Sequence, residues 1–140
     1  MSTTTAVVAN IFPFITYEDA PAAIDWLCRG FGFERLQVVP GEGGEIVHAE
    51  LQLGPGVVMV SSATPSTEER LRMTSTLALG ATSQGIAIFV EDVDALWQRA
   101  LAAGAEVVLP VYDAPYGART FTVRDPEGNL WSVGNYRPHA

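Results

Sequence analysis

The apolar positions of this chain are laid out twice in one order. From Ile11 to Tyr17 the residues are apolar on both alternating faces, which predicts a strand covered on two sides. Glu18-Asp19 follow, and then Ile24, Leu27 and Cys28 or Phe31 recur at three- and four-residue steps. That spacing predicts a helix with one apolar face, capped by Asp19 and carrying Pro21 in its first turn, where a missing N–H costs little. Gly32 stops the helix, and residues 33–39 read as a second strand. The same grammar returns half a chain later. Ile86 to Val90 predicts a strand, Asp92 a cap, Ala95 to Ala103 a helix, Gly104 a stop, and Val107 to Val111 another strand. Two long copies are not a solenoid; they are two supersecondary modules expected to face each other across a pseudo-twofold seam.

The remainder of each copy completes the module. After the glycine-rich turn Pro40 to Gly44, residues 46–53 alternate cleanly: Val47, Ala49, Leu51 and Leu53 point one way, His48, Glu50 and Gln52 the other. Gly54-Pro55-Gly56 turns the chain into a strand over residues 57–61, so the first module reads βαβββ. The second closes with strands over 119–124 and 130–136, joined by Asp125-Pro126-Glu127-Gly128. One domain over residues 1–140 is expected, with modules at about 10–61 and 84–136. The connection, about 62–83, is rich in Ser, Thr and Pro; a segment that long serves either as a surface crossover or as cover for a cavity mouth.

Charge narrows the partners. Sixteen acids face eight bases, all arginine, for a net charge of −8. Nucleic acid and anionic membrane are repelled by that field, whereas a cationic small molecule is steered inward. No apolar run approaches the roughly 20 residues of a membrane span. The opening Met1 to Val8 has no basic segment, so a cytoplasmic protein is expected. The single cysteine, Cys28, falls within the first helix pattern and reads as a small buried hydrophobe.

A duplicated βαβββ unit whose last strand is entered through Asp125-Pro126-Glu127-Gly128-Asn129-Leu130-Trp131, with Ile15-Thr16-Tyr17-Glu18-Asp19 and Ile88-Phe89-Val90-Glu91-Asp92 opening the two copies, resembles the vicinal oxygen chelate superfamily. That group includes glyoxalase I, extradiol dioxygenases, and fosfomycin- and bleomycin-resistance proteins. The resemblance covers almost the whole chain. It implies an α+β fold of two tandem βαβββ modules, each curled into half a barrel around a central cavity with helices outside, and a homodimer. It also implies four metal-ligand positions, which fall here on Phe12, Met59 (or Ser61 with a register shift), Gly85 and Ser132. Phe and Gly bring no donor atom, and a hydroxyl or thioether is a poor ligand for a hard divalent ion. No metal and no cofactor are therefore expected, which places the chain in a metal-ligand-deficient branch.

Strand parity names the cavity lining: Phe12 and Phe14 on the first strand, His48 and Glu50 on the third, Met59 and Ser61 on the fourth, Gly85 and Phe89 on the fifth, Ser132 on the last. Arg119, after Tyr116-Gly117, is a further ligand-binding candidate able to hold a carboxylate or phosphate, or to pair with Glu50 or another acid. Trp26, Trp97 and Trp131 read as helix–sheet packing. Aromatic, small and polar walls suit a concave site for a planar or amphipathic molecule. The expectation is a metal-free small-molecule-binding protein of bleomycin-resistance type, linked to antibiotic resistance by sequestering its ligand. Two alternatives stand beside it: a glyoxalase-like lyase, isomerase or hydrolase with His48 and Glu50 as catalytic groups, and a structural domain whose cavity is filled by its own side chains.

Overall fold

The computed structural model describes residues 9–138. The first module comprises β1 (Phe14–Tyr17), α1 (Ala20–Phe31), β2 (Glu34–Pro40), β3 (Ile46–Leu53) and β4 (Gly56–Ser62). The connection contains α2 (Pro65–Leu71) and α3 (Thr76–Leu79). The second module comprises β5 (Gly85–Phe89), α4 (Val93–Ala102), β6 (Glu106–Asp113), β7 (Arg119–Arg124) and β8 (Leu130–Gly134). Each module forms its own four-stranded sheet, in the orders β1-β4-β3-β2 and β5-β8-β7-β6. The first strand of each pairs parallel with the last, and the other pairs are antiparallel. The two βαβββ modules are thus present, and the described residues form two open sheets rather than a closed barrel.

Local chemistry fixes the helices. The Asp19 carboxylate accepts the Ala22 N–H at 3.1 Å, and the Asp92 carboxylate accepts the Ala95 N–H at 3.0 Å. α1 ends at Gly32, whose φ of 84° is left-handed and whose N–H donates to the Cys28 carbonyl. Cβ at Gly32 would also meet the Arg99 guanidinium at 3.0 Å.

Three details depart from the sequence reading. β1 starts at Phe14 and not Ile11, since Pro13 has no N–H to donate; its carbonyl still accepts from Met59 N–H at 2.8 Å. On β3, Ala49 and Leu51 are fully buried as expected, but Val47 is 62% exposed and Ile46 takes the inward place. Val39 pairs with His48 while Pro40 pairs with Ile46, leaving Val47 as an extra residue that resets the alternation. The connection is not irregular throughout but carries the two short helices.

One hydrophobic core serves both modules. Phe31 and Phe33 from the first module reach the Trp131 ring of the second at 5.3 and 5.9 Å between centroids. α1 lies beside α4, where Trp26 Nε1–H donates to the Ala103 carbonyl at 2.8 Å. Arg99 donates to the Arg29 carbonyl at the end of α1 and adds a second bond to the Cys28 carbonyl, which already accepts the Gly32 N–H. Trp97 packs edge-on to Phe121 at 5.1 Å. The three tryptophans are packing residues, as the sequence indicates. Burial pushes the Cys28 thiol above its ordinary value, which disfavours the reactive thiolate.

A polar clamp closes the seam. The buried Asp125 carboxylate accepts from Tyr17 O–H (2.6 Å), Trp131 Nε1–H (3.0 Å), Asn129 Nδ2–H (3.1 Å) and the backbone N–H of Glu127 and Asn129 (3.0 Å each). Glu127 reaches back to the start of α1, where its two oxygens accept the N–H groups of Glu18 and Asp19, both at 2.8 Å. Gly128 has a φ of 92°, so the turn that aims these acids needs glycine there. The Asp-Pro-Glu-Gly-Asn run is a fastener between modules as well as a turn.

Candidate functional site

The two helices α1 and α4 cover one side of the sheets, so function is sought on the helix-free faces and along the seam. On the first sheet, the register sets Phe14 beside Met59 and Met59 beside Glu50, with Thr16 beside Ser61 one row on. His48 belongs to the same face. Its Nε2–H donates to Glu50 Oε2 at 2.8 Å, and the two side chains are 37% and 34% exposed. In the neutral tautomer that carries its hydrogen on Nε2, this bond leaves Nδ1 as an acceptor. Chemically, this is an oriented imidazole beside an apolar floor. It can accept a hydrogen bond from a bound molecule or take up a proton.

Phe14 also lines a cleft of about 640 Å³ at the seam between β1 and β5, together with Phe12 and Gly85, which lie away from the His48–Glu50 pair. Phe89 lines a second cleft of about 460 Å³, and the Arg137 guanidinium sits 3.8 Å above its ring. Ser132 occupies the helix-free face of the second sheet, 3.3 Å from the Thr122 hydroxyl. Arg119 is committed to two surface acids: it donates to Asp94 at 2.9 Å and to Asp113 at 3.1 Å, and both bonds hold its charge more firmly. It is not paired with Glu50. Within a single chain these residues are therefore spread over two sheets, the seam and the surface, with His48, Glu50, Met59 and Ser61 the group that stays together.

A resident metal does not fit these residues. Three of the four positions the fold family implies hold Phe12, Met59 and Gly85, and the hydroxyl of the fourth, Ser132, is shared with Thr122. Among the described residues no three of His, Cys, Asp or Glu stand close enough to hold an ion. Likewise, no helix among them is long and apolar enough to cross a membrane.

Sequence reasoning missed the fasteners around the seam. Tyr17 reads as one more apolar strand position, and Asp125 and Glu127 read as turn residues. The connection is also pinned to both modules: the buried Ser75 Oγ–H donates to Glu18 Oε1 at 2.8 Å, and Thr76 Oγ1–H to Asn129 Oδ1 at 2.6 Å. Ser75 also caps α3, accepting the Ala78 N–H at 3.0 Å, and neither that helix nor the bond to Glu18, 57 positions away, was read from the sequence.

Comparison with known proteins fits this geometry. Two mycobacterial relatives, Mb0911c of Mycobacterium bovis and Rv0887c of Mycobacterium tuberculosis, are each 40% identical over 122 residues; the match spans 87% of this chain and 80% and 71% of theirs. The crystal structure of TioX from Micromonospora sp. ML1 superposes with a TM-score of 0.74 at 38% identity, covering 92% of this chain and 99% of that one. A glyoxalase/bleomycin resistance protein from Streptomyces sp. CB03234 shares the fold, with a TM-score of 0.66 at 21% identity over 89% of this chain and 98% of its own. The model of the Glyoxalase/Bleomycin resistance protein/Dioxygenase superfamily matches residues 7–133, and the chain belongs to that superfamily.

Proposed function

We propose that this protein is a small-molecule-binding member of the superfamily, of bleomycin-resistance type, which sequesters an aromatic or amphipathic organic ligand without a metal. The carrying observation is the His48–Glu50 pair set next to Met59 and Phe14 on a helix-free face. Phe14 is 59% exposed, an aromatic surface held rigidly on a strand with a polar handle nearby. Net charge of −8 and the Glu50 carboxylate favour a neutral or cationic ligand over an anionic one.

The helix-free faces also support a homodimer. Phe14 on the first sheet, and Val108 and Leu109 on the edge strand of the second, stay exposed in one chain. A second copy that lays its second sheet over the first would cover them and close the ligand site. Equilibrium sedimentation tests this half of the proposal: a monomer at micromolar concentration, unaffected by ligand, overturns it.

The binding test is a thermal-shift panel of neutral, cationic and anionic aromatic compounds on the wild-type protein and on His48→Ala and Glu50→Ala. Stabilisation by neutral or cationic members, lost in the two variants, is expected. A flat panel favours the structural-domain reading. The 2.8 Å His48–Glu50 bond also favours a second reading, a glyoxalase-like lyase, isomerase or hydrolase in which Nδ1 of His48 removes a proton. Turnover of a panel compound that stops in His48→Ala while binding persists would select it.

A further inference from the structure

The seam cleft shares Phe14 and Thr16 with the face just described, but the rest of its lining differs in a way that bears on what it holds. Its volume, about 640 Å³, lies within the usual range for sites of small organic molecules. Eighteen residues line it and none is charged, although 17% of the chain is charged. Two other clefts among the described residues have charged walls: one has Glu91 and Arg137, the other Glu106, Arg124, Asp125 and Glu127. Apolar groups from both modules and from the connection meet in the seam cleft: Phe12, Ile86 and Leu130 from below, Met73 and Leu79 from above. Between them stand Thr16, Thr74, Ser83 and Gln84, whose side chains make no hydrogen bond to another described residue.

We infer that this cleft is a binding site for an uncharged amphipathic molecule, with residues 73–84 of the connection as its roof. An ion moved into such a lining would lose its hydration and find no opposite charge, a cost that hydroxyls and one amide do not offset. A neutral molecule with an apolar body and one or two hydrogen-bonding groups meets both kinds of wall. The roof is fastened at both ends of the seam. Ser75 fastens it to Glu18 of the first module and Thr76 to Asn129 of the second, which holds the flanking Met73 and Leu79 in the wall of the cleft. This inference does not depend on the helix-free face being a ligand site.

The sequence itself supplies reporters. Its three methionines are Met1, Met59 and Met73; Met73 lies in the cleft and Met59 on the helix-free face. Protein labelled with ¹³C at the methionine methyls would be titrated with N-phenyl-1-naphthylamine, which is neutral. Its sulfonated analogue 8-anilinonaphthalene-1-sulfonate has the same rings and one negative charge. The expected result is a ring-current shift of the Met73 methyl with Met59 unmoved, and binding of the sulfonate weaker by about tenfold or more. Leu79 is exposed in the unliganded protein, so Leu79→Asp leaves folding intact while placing a charge in the roof; it should weaken the neutral probe by about tenfold, and Leu79→Asn by less. Three results overturn the inference: a shift confined to Met59, equal affinity for the two probes, or an unchanged titration in Leu79→Asp. The first of these would leave the helix-free face standing as the ligand site.

Discussion

The hydroxyl of Tyr17 donates to Asp125 at 2.6 Å across 108 residues of sequence, joining the last residue of β1 to the turn before β8. Burial first, and then the adjacent carboxylate, raise the Tyr17 hydroxyl well above its ordinary value of 10.0. In the folded protein the proton stays on, because losing it would place two anions together in the core.

A pH dependence follows from that shift. Below pH 10 Tyr17 is neutral whether folded or not, and its contribution is fully present. Above that value the unfolded chain ionises while the folded one resists, so stability falls as pH rises towards the raised folded value. Urea midpoints measured from pH 8 upward should decline beyond about pH 10, and the decline should be shallower in Tyr17→Phe. A parallel decline in the two proteins would separate alkaline unfolding from this hydroxyl.

Glu127→Ala removes the acceptor for two N–H groups at the start of α1. Hydrogen bonds to a charged partner contribute about 1.5–3 kcal/mol each at most, and the freed N–H groups can turn partly to water, so a loss of about 2–3 kcal/mol is expected. Glu127→Gln keeps one oxygen and should lose about half as much. Chemical denaturation decides it; a loss under about 0.5 kcal/mol, the scale of ordinary surface changes, would mean the clamp is not holding the helix.

Leu51 and Glu50 are neighbours on β3 with opposite outlooks. Leu51→Ala opens a void in the shared core and should cost about 2–5 kcal/mol. His48→Ala and Glu50→Ala break a pair that is about one-third exposed and should cost no more than about 1 kcal/mol each. Ligand affinity should rank the three in reverse. If the histidine and glutamate variants unfold and the leucine variant is silent, the face assignment fails.

Protein purified without chelator should contain no stoichiometric divalent metal, because Phe12, Met59, Gly85 and Ser132 occupy the positions that would bind it. Elemental analysis checks this. One tightly held ion per chain, lost on changing His48 or Glu50, would promote the enzymatic reading.

Period-based features were legible in the sequence and long-range polar ones were not. Asp19 and Asp92 announce their helices because a cap acts over three residues, and Ala49 and Leu51 announce their face because strand alternation is local. Val47 misled because a bulge depends on the partner strand, which the alternation of β3 alone does not encode. Asp125 looked like a turn residue since nothing near it in sequence says that Tyr17 waits across the seam. The residues of the candidate site followed the same rule. Parity put His48, Glu50, Met59 and Ser61 on one face, while the grouping of Phe12 with Gly85, and the escape of Arg119 to Asp94, depend on how modules and loops meet.

The cluster of tilted and edge-on rings at Phe31, Phe33 and Trp131 ties the stability of each copy to the other. A half-chain ending at β4 would turn Phe31 out to water, and one beginning at β5 would expose Trp131 and leave the buried acid Asp125 without its phenol. Burying a large side chain is worth about 1.5–3 kcal/mol, a sizeable part of the roughly 5–15 kcal/mol that keeps a domain folded. Duplication here has given up autonomy. The molecule should melt in a single cooperative step, and a nick at Arg72, on the surface between α2 and α3, should yield two fragments that are unstructured apart and fold only on recombining.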